Sequence, residues 1–561
     1  MTYSFSLKSF ALRSFLLGLT LLVPNLLSAE KKADYVPEPK PIQTKVELTA
    51  FYYPGTEQMA EWDMVEQTRP EIKPLLGWYD EGNPEVIDWQ IKWAVEHGIS
   101  TFLVDWYWNQ GVQRLDHWVK GFYQARYRKY LKWCMMWANH NEPGAHSTAD
   151  QIAVTKFWIE NYFKTPEYYT IDGKPVVIIW QFSNLDADFI AEAAKNGETL
   201  QPGEGAKRAL DLTQKLVKEA GLPGVCFIQM NPNAKTFELA QKAGFSSQMD
   251  YNFFWQAYAL YPEDRGPNDT NQNYSYDLVI KTVQKYWKET WNSDFPHWPI
   301  LPCGWNDLPR SFQKARVMRD RTPEKFRQVC ESCLKFCEEN QISRVVISPI
   351  NEWQEGTYIE PNQEYGFAMF DALRDVFGIQ PAEGWPENVT PDQLGLGPYD
   401  YPAMERTTRR EWTFDLDPEG WYRQPYGTGM IRVFDGALRI VRTNPDRAAI
   451  RIRTSEFDAK EFKTFTIRMK IQPSADSRYA PKGTEQLKLY WGTTDHPIFD
   501  RNLVISERNT QLQPIIPDGQ WHEYVLPLSE NPNWTGRVNE LWFDPIDLHH
   551  AQVDVDWIRF R

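Results

Sequence analysis

The stretch "SRVVISPINEWQEGTYIEP", residues 343–361, opens on β-branched and apolar side chains and closes on two glutamates, Glu352 and Glu355, three positions apart. Its first nine residues suit a pleated, buried surface and predict a strand. The acids that follow have two readings. An isolated E-x-x-E is commonly a solvated pair on a helical turn. The same pair at the end of a buried strand would face a pocket.

Seven earlier runs share the character of 343–351. They are "VELTAFYYP" (46–54), "STFLVDWYW" (100–108), "LKWCMMWAN" (131–139), "KPVVIIWQF" (174–182), "GVCFIQMNP" (224–232), "SQMDYNFFW" (247–255) and "HWPILPCGW" (297–305). Helical patterns lie between them. In "PEVIDWQIKWAVEHG" an apolar face of Val86, Ile87, Ile91, Ala94 and Val95 ends at Gly98, and "TPEKFRQVCESCLKFCEENQ" opens with Thr322 as cap and Pro323 in the first turn. Near-continuous apolar strands suit a parallel sheet covered on both faces. Eight strand-then-helix units predict an α/β fold, a (β/α)8 TIM barrel. A doubly wound open sheet competes, but no Gly-rich phosphate loop follows the first run.

From 411 the texture changes to short alternating runs such as "TFTIRMKIQ", "QLKLYWGTT" and "QVDVDWIRFR", with no helical stretch. That pattern predicts an all-β antiparallel sandwich. The expected organisation is a signal peptide over 1–29, a linker over 30–45, the barrel over 46–380, a connecting segment over 381–410 and the sandwich over 411–561.

In a barrel of this kind, chemistry gathers at the C-terminal ends of the strands. Those ends carry Tyr53; Asp105 and Trp106; Trp137 and Asn139; Asn231; Tyr251; Trp305, Asn306 and Arg310; and Trp353 between the two glutamates. Amides that donate and accept, beside aromatic rings that stack, suit sugar hydroxyls and sugar faces. These eleven are the expected substrate-binding residues, and Glu352 and Glu355 the expected catalytic pair. Glycoside cleavage needs a proton donor at the leaving oxygen and a second carboxylate. Three residues on a turn separate Cβ atoms by about 5–6 Å, nearer the retaining than the inverting spacing. Asp105 reads equally as a further acid or as a loop cap.

Bulk properties narrow the function class. A formal charge of −14 with no long basic cluster disfavours nucleic acid. It leaves open a local basic pocket for an acidic glycan. Aromatic residues make up 15% of the chain, with 25 tryptophans, which serves either core packing or stacking on sugar. Lys8 and Arg13 precede the apolar "FLLGLTLLVPNLL", and "LSA" ends at Ala29, the pattern of a cleavable export signal. A secreted or periplasmic location is therefore expected, with no membrane span in the mature chain. Cys134, Cys226 and Cys303 fall in apolar segments, and Cys330, Cys333 and Cys337 at helical spacing. Three cysteines without a fourth ligand read as a helix stripe, so no metal or cofactor is expected.

The motifs "AFYYP", "WCMMWANHNE", "YYTIDGKPVVIIW", "PCGWNDLPR" and "SPINEWQEGTYIEPNQEYG" resemble, in that order, those of WbsX-like proteins and of glycoside hydrolase family 99 across residues 46–378. The last is closely similar to an N-E-W-x-E-G-T-x-I-E-P run of family 99 endo-α-mannosidases. The resemblance implies that Glu352 acts as base on the sugar 2-hydroxyl. It implies Glu355 as acid and base at the glycosidic oxygen, with retention through a 1,2-anhydro sugar. Gln354 stands where family 99 usually has His, and "WANHNE" and "GWNDLPR" look more like the WbsX side. The C-terminal region, with "DGQWHEYVLPLSENPNWTG" and "VDWIRF", resembles jelly-roll modules of polysaccharide-degrading enzymes. Trp421, Tyr490, Trp491, Trp521 and Trp534 are its candidate stacking residues, inward-facing packing being the commoner role of such aromatics.

The sequence thus predicts a secreted, endo-acting, retaining glycoside hydrolase on a polysaccharide or glycan, with α-mannosidic or related linkages suggested by the resemblance. A non-catalytic glycan-binding protein and a WbsX-like glycosyltransferase are the alternatives. A transferase would need a nucleotide-sugar donor, which an exported chain would not meet. The sequence sets no oligomeric state.

Overall fold

The computed structural model describes residues 33–561 except 57–58, 140–143, 145, 233–235, 312–313, 424–427, 443–448, 476, 499–506 and 549. The expected signal peptide lies outside the described residues.

Eight parallel strands build the first layer: β1 (Glu47–Tyr52), β2 (Ile99–Asn109), β3 (Lys132–Trp137), β4 (Lys174–Ile179), β5 (Cys226–Met230), β6 (Ser247–Met249), β7 (Ile300–Leu301) and β8 (Arg344–Ile347). They pair in the cyclic order 7-8-1-2-3-4-5-6. Between β6 and β7 the ring is joined by two backbone bonds around one residue, Gln248 N to Pro296 O at 2.9 Å and Trp298 N to Gln248 O at 3.0 Å. All eight expected strands are present, and all but β2 are shorter than their apolar runs. The sixth stops at Met249, and Phe254 and Trp255 of its run open a helix, Phe254–Ala259.

The helices follow their sequence signals. Asn83 caps Pro84–Glu96 by accepting from Glu85 N at 3.0 Å, and Gly98 leaves it with φ +89°. Thr322 caps Pro323–Asn340 through Lys325 N. The six cysteines are unpaired and buried. Among the described residues no group of three or more His, Cys, Asp or Glu is placed to hold a metal, and no helix is long and apolar enough to cross a membrane.

Side chains alternate across β2. Asp105 points to the barrel axis. Trp106 and Trp108 point outward against Phe157, and Trp106 also against Trp158, on the helix Thr148–Asn161. Trp137 on β3 packs against Trp158 from the other side. Trp106 and Trp137 are each 1% exposed. Much of the tryptophan excess is this cladding between strands and helices.

Residues 33–45, expected as a linker, lie on the barrel. Tyr127 Oη donates to Val36 O at 2.8 Å, and Gln43–Thr44 pairs with Gly378–Ile379. The connecting segment is bound as well, with Tyr399 N and Tyr401 N donating to Leu76 O and Trp78 O, each at 2.7 Å.

Two antiparallel sheets follow. One contains β9 (Thr428–Phe434), β10 (Ala437–Arg442), β12 (Thr464–Gln472), β15 (Trp521–Pro527) and β17 (Gln552–Phe560); the other contains β11 (Ile450–Asp458), β13 (Gln486–Thr493), β14 (Thr510–Pro514) and β16 (Arg537–Asp544). Ile440, Ile467 and Met469 of the first pack with Ile452, Leu489 and Phe543 of the second in one core, which makes a sandwich. Trp421, Trp491 and Trp534 are 3%, 0% and 4% exposed and belong to it, whereas Trp521 is 36% exposed.

Because Trp106 is enclosed, its replacement is a packing change. Trp106→Ala should destabilise the barrel by about 3–5 kcal/mol. Chemical denaturation followed by far-UV circular dichroism checks this.

Candidate active site

Past β8 the chain keeps its register with β1 through a side chain. Ile350 N still donates to Phe51 O at 3.0 Å. Asn351 then accepts from Tyr53 N and donates to Tyr53 O, both at 2.9 Å, replacing the next ladder step with its amide. This bracket fixes where Glu352 begins.

The acids stand on a tight hairpin rather than an α-helix. Asn351 and Glu352 bridge Tyr358 and Thr357, and a 3-10 turn over Trp353–Glu355 joins the two arms. Gly356 ends the turn at φ +65°, where an added Cβ would meet the backbone N and O of Asn306 at 2.5 Å. Only glycine fits. Asn306 N donates to Glu355 O at 2.8 Å, docking the hairpin on the loop after β7.

Glu352 is 5% and Glu355 7% exposed. Arg310, on the short helix Leu308–Ser311, forms an ion pair with Glu355. Tyr251 Oη donates to Glu352 Oε2 at 2.9 Å and lies 3.3 Å from Asp105 Oδ2. Asp105 is 5% exposed, and its Oδ1 has no hydrogen-bond partner among the described residues. Burial raises the Glu352 carboxyl to about 7, against the opposing pull of the Arg310 charge and the Tyr251 hydroxyl. Burial, then the neighbouring Glu352 charge, pushes Asp105 well above the carboxylate range. Both shifts favour the neutral carboxyl over the charged one.

The other expected residues divide. Asn231, at φ +45°, accepts from Tyr251 N at 3.2 Å and holds the tyrosine in place. Trp305 and Asn306 line a polar cavity of about 180 Å³ with Arg69, Arg319, Arg321 and Tyr358. Tyr53 is half-buried at the mouth. Asn139 ties its loop to the next strand, its amide donating to Gln181 O at 2.9 Å and accepting from Gln181 N at 2.7 Å. Three are corrected from substrate platforms to packing. Trp106 and Trp137 clad the strands, and Trp353, 3% exposed, stacks on Tyr358 at 4.8 Å and meets Trp62 at 6.1 Å.

Three residues at the site escaped the sequence reading. Trp180 is half-buried with its ring edge-on to Tyr251 at 5.1 Å. β4 ends at Ile179, so Trp180 is the first residue beyond the strand. Glu81 accepts from Asn351 Nδ2 at 3.1 Å and from Thr56 N at 2.6 Å, and burial raises it to about 7. Glu360 accepts from Tyr79 Oη at 2.8 Å, and burial raises it to about 8. Nothing in "WYDEG" marks Glu81, whereas Glu360 is the last acid of the quoted motif.

The 180 Å³ cavity is lined by neither acid. Two buried carboxyls on one hairpin at the C-terminal mouth of a barrel, one of them paired with Arg310, can move protons at a bound hydroxyl and at an ether oxygen.

Comparison with known proteins adds the following. A family model described as glycosyltransferase WbsX matches residues 59–373. Two curated proteins called uncharacterized protein WxcX, from two strains of Xanthomonas campestris pv. campestris, are each 23% identical over 395 residues, covering 64% of this chain and 51% of the relative. The chain thus spans about half the length of these curated relatives. A solved structure called glycoside hydrolase-like protein is similar with a TM-score of 0.43 at 15% identity, covering 63% of this chain and 99% of that one. The family 99 endo-α-mannosidase from Bacteroides thetaiotaomicron is similar with a TM-score of 0.38 at 15% identity, covering 59% and 98%. The WbsX resemblance carried by the motifs is borne out over more than half of the sequence, and the chain belongs to the family described as glycosyltransferase WbsX.

Proposed function

We propose that the chain is an exported glycoside hydrolase that cleaves a polysaccharide or glycan internally, with retention, using Glu352 and Glu355. The observation that carries this reading is the placement of both acids, buried and on one hairpin, at the mouth where β1 and β8 end. Glu352 as carboxylate takes the proton of a sugar 2-hydroxyl, and that oxygen attacks C1. The bond from C1 to the leaving oxygen breaks as Glu355 supplies a proton to that oxygen. Glu355 then deprotonates a water that opens the 1,2-anhydro ring at C1, and Glu352 returns its proton to O2. Each group ends as it began. Arg310 pairs with Glu355 between proton transfers, and Tyr251 holds Glu352 by a hydrogen bond that favours its charged form. The resemblance to family 99 suggests α-mannosidic or related linkages as substrate.

The family description favours a second reading, transfer from an activated donor. A product that forms only with a nucleotide sugar and an acceptor would support it, and cleavage of a glycan panel in water alone supports hydrolysis.

On the sandwich, Trp521 is the stacking candidate. It is 36% exposed, and Arg468 and Lys470 each hold a cation over its ring, 5.0 Å from the centre, so an exposed aromatic ring stands beside hydrogen-bond donors.

Three outcomes test these assignments. Glu352→Gln and Glu355→Gln should each lower kcat by about 100-fold or more, measured by product sizing on whichever polysaccharide the wild type cleaves; survival of both activities sinks the assignment. Glu352 must be ionised to act as base, so kcat/KM should fall as pH drops through about 7. Tyr251→Phe removes a donor that lowers the Glu352 pKa and should move that limb to higher pH. Trp521→Ala, in a Glu355→Gln background, should weaken retention on the same polysaccharide by about three- to tenfold in affinity electrophoresis.

A further inference from the structure

We propose that the sandwich positions the catalytic hairpin through helix α1 (Met59–Thr68), with Asp63 as the positioning residue at the junction. The inference rests on the reading of Glu352 and Glu355 as the reacting acids.

Helix α1 follows β1 and so stands on the catalytic face of the barrel. Its sequence "MAEWDMVEQT" sets acids at Glu61, Asp63 and Glu66. Each meets an arginine of the sandwich. Arg423 pairs with Glu61 at 3.0 Å, Arg451 with Asp63 at 2.7 Å, Arg453 with Asp63 at shorter range, and Arg453 with Glu66 at 3.5 Å. Arg451 and Arg453 lie two apart on β11 and therefore share one face of its sheet. Tyr422 Oη also lies 3.3 Å from Asp63 Oδ2. Asp63 and Arg451 are both 0% exposed, so solvent does not screen this junction. Arg451 is further held by Glu540 and lies 5.1 Å from the Trp542 ring centre. A charge pair this deep holds its geometry because each partner would be costly alone.

The same helix grips the hairpin from its other side. Glu61 O accepts from Gln354 Nε2 at 2.9 Å. Gln354 lies between Trp353 and Glu355, so the helix backbone is bonded directly to the turn that carries the second acid. Trp62 donates to Tyr79 O at 2.8 Å and meets the rings of Trp78 at 5.2 Å and Trp353 at 6.1 Å. Helix α1 also touches the short helix that bears Arg310. Helix α1 is thus held by sandwich arginines at Glu61, Asp63 and Glu66, and it bonds to the hairpin and touches the short helix that bears the partner of Glu355. The continuous path runs Arg451, Asp63, α1 backbone, Gln354, Glu355.

The test uses the full chain. Asp63→Ala should raise amide exchange in the peptide covering 351–358 by about tenfold. It should also lower kcat by about tenfold or more with KM held within about twofold, because misplacement of reacting groups acts on the transition state. Asp63→Glu should restore part of both. Arg537→Ala, which breaks the exposed pair of Arg537 with Glu456 on the sandwich, should change neither. Should Asp63→Ala fail to fold, Gln354→Leu cuts the path at the hairpin end and should give the same rise in exchange. A folded Asp63→Ala or Gln354→Leu with wild-type exchange over 351–358 overturns the proposal. That readout needs no substrate, so its failure is distinct from failure of the hydrolase reading, which shows as a wild type that cleaves no glycan.

Discussion

One amide side chain carries the seam between the last strand and the first. The backbone ladder of β8 and β1 ends with Ile347 opposite Ala50, and the chain must then leave the sheet to build a hairpin. Asn351 pairs with both backbone groups of Tyr53, so the loop departs without leaving buried polar groups unmatched. Its remaining amide proton goes to Glu81, which Thr56 N also satisfies. The first acid of the site, the end of β1 and a second carboxyl behind them are thereby placed by one residue. An alanine here would remove the amide that pairs with Tyr53 N and O and one of the donors to Glu81.

Around that seam lies an unusual density of buried carboxyls. Glu81, Glu352 and Glu360 are raised to about 7, 7 and 8, burial being the leading cause each time. Each binds a proton more tightly in the fold than when unfolded, where a glutamate titrates near 4.3. Folding therefore takes up protons between the unfolded and folded values, and their stability contribution is present below the unfolded value and lost as pH rises through about 7–8. Such acids cost the fold stability at neutral and alkaline pH. Burying several around one mouth is the pattern of a site whose carboxyls must change protonation state during turnover.

The barrel was legible because its signals repeat. Each strand has an apolar run, several helices have a cap or a glycine, and the eight cycles count themselves. Strand ends were less legible. In a period-two element a shift of one residue exchanges the axis for the outer layer, and so Trp106, beside the inward Asp105, turned out to be cladding. Trp353 failed for another reason, since the 3-10 turn encloses its ring between Tyr358 and Trp62. Residues 30–45 read as a linker from their prolines and charges, but the buried Val36 and Pro39 and the paired Gln43–Thr44 dock the described part of them, 33–45. Contacts of that kind join segments hundreds of residues apart and leave no local pattern.

Gln354 shows how the two halves of the chain depend on each other. At this position the resemblance to family 99 calls for a histidine, and in isolation the change reads as an altered active-site group. In the fold its amide turns away from the pocket and donates to the backbone of α1 at Glu61. An imidazole at this site would have one ring nitrogen free to donate and a second needing a partner of its own, whereas a glutamine reaches the carbonyl with a flexible arm. The helix it reaches is itself held by three arginines from beyond residue 420. An acidic α1 and an arginine-bearing sheet are complementary, and neither surface makes chemical sense alone. The glutamine is best understood as part of that complementarity: its amide ties the turn between Glu352 and Glu355 to the helix that the sandwich arginines hold.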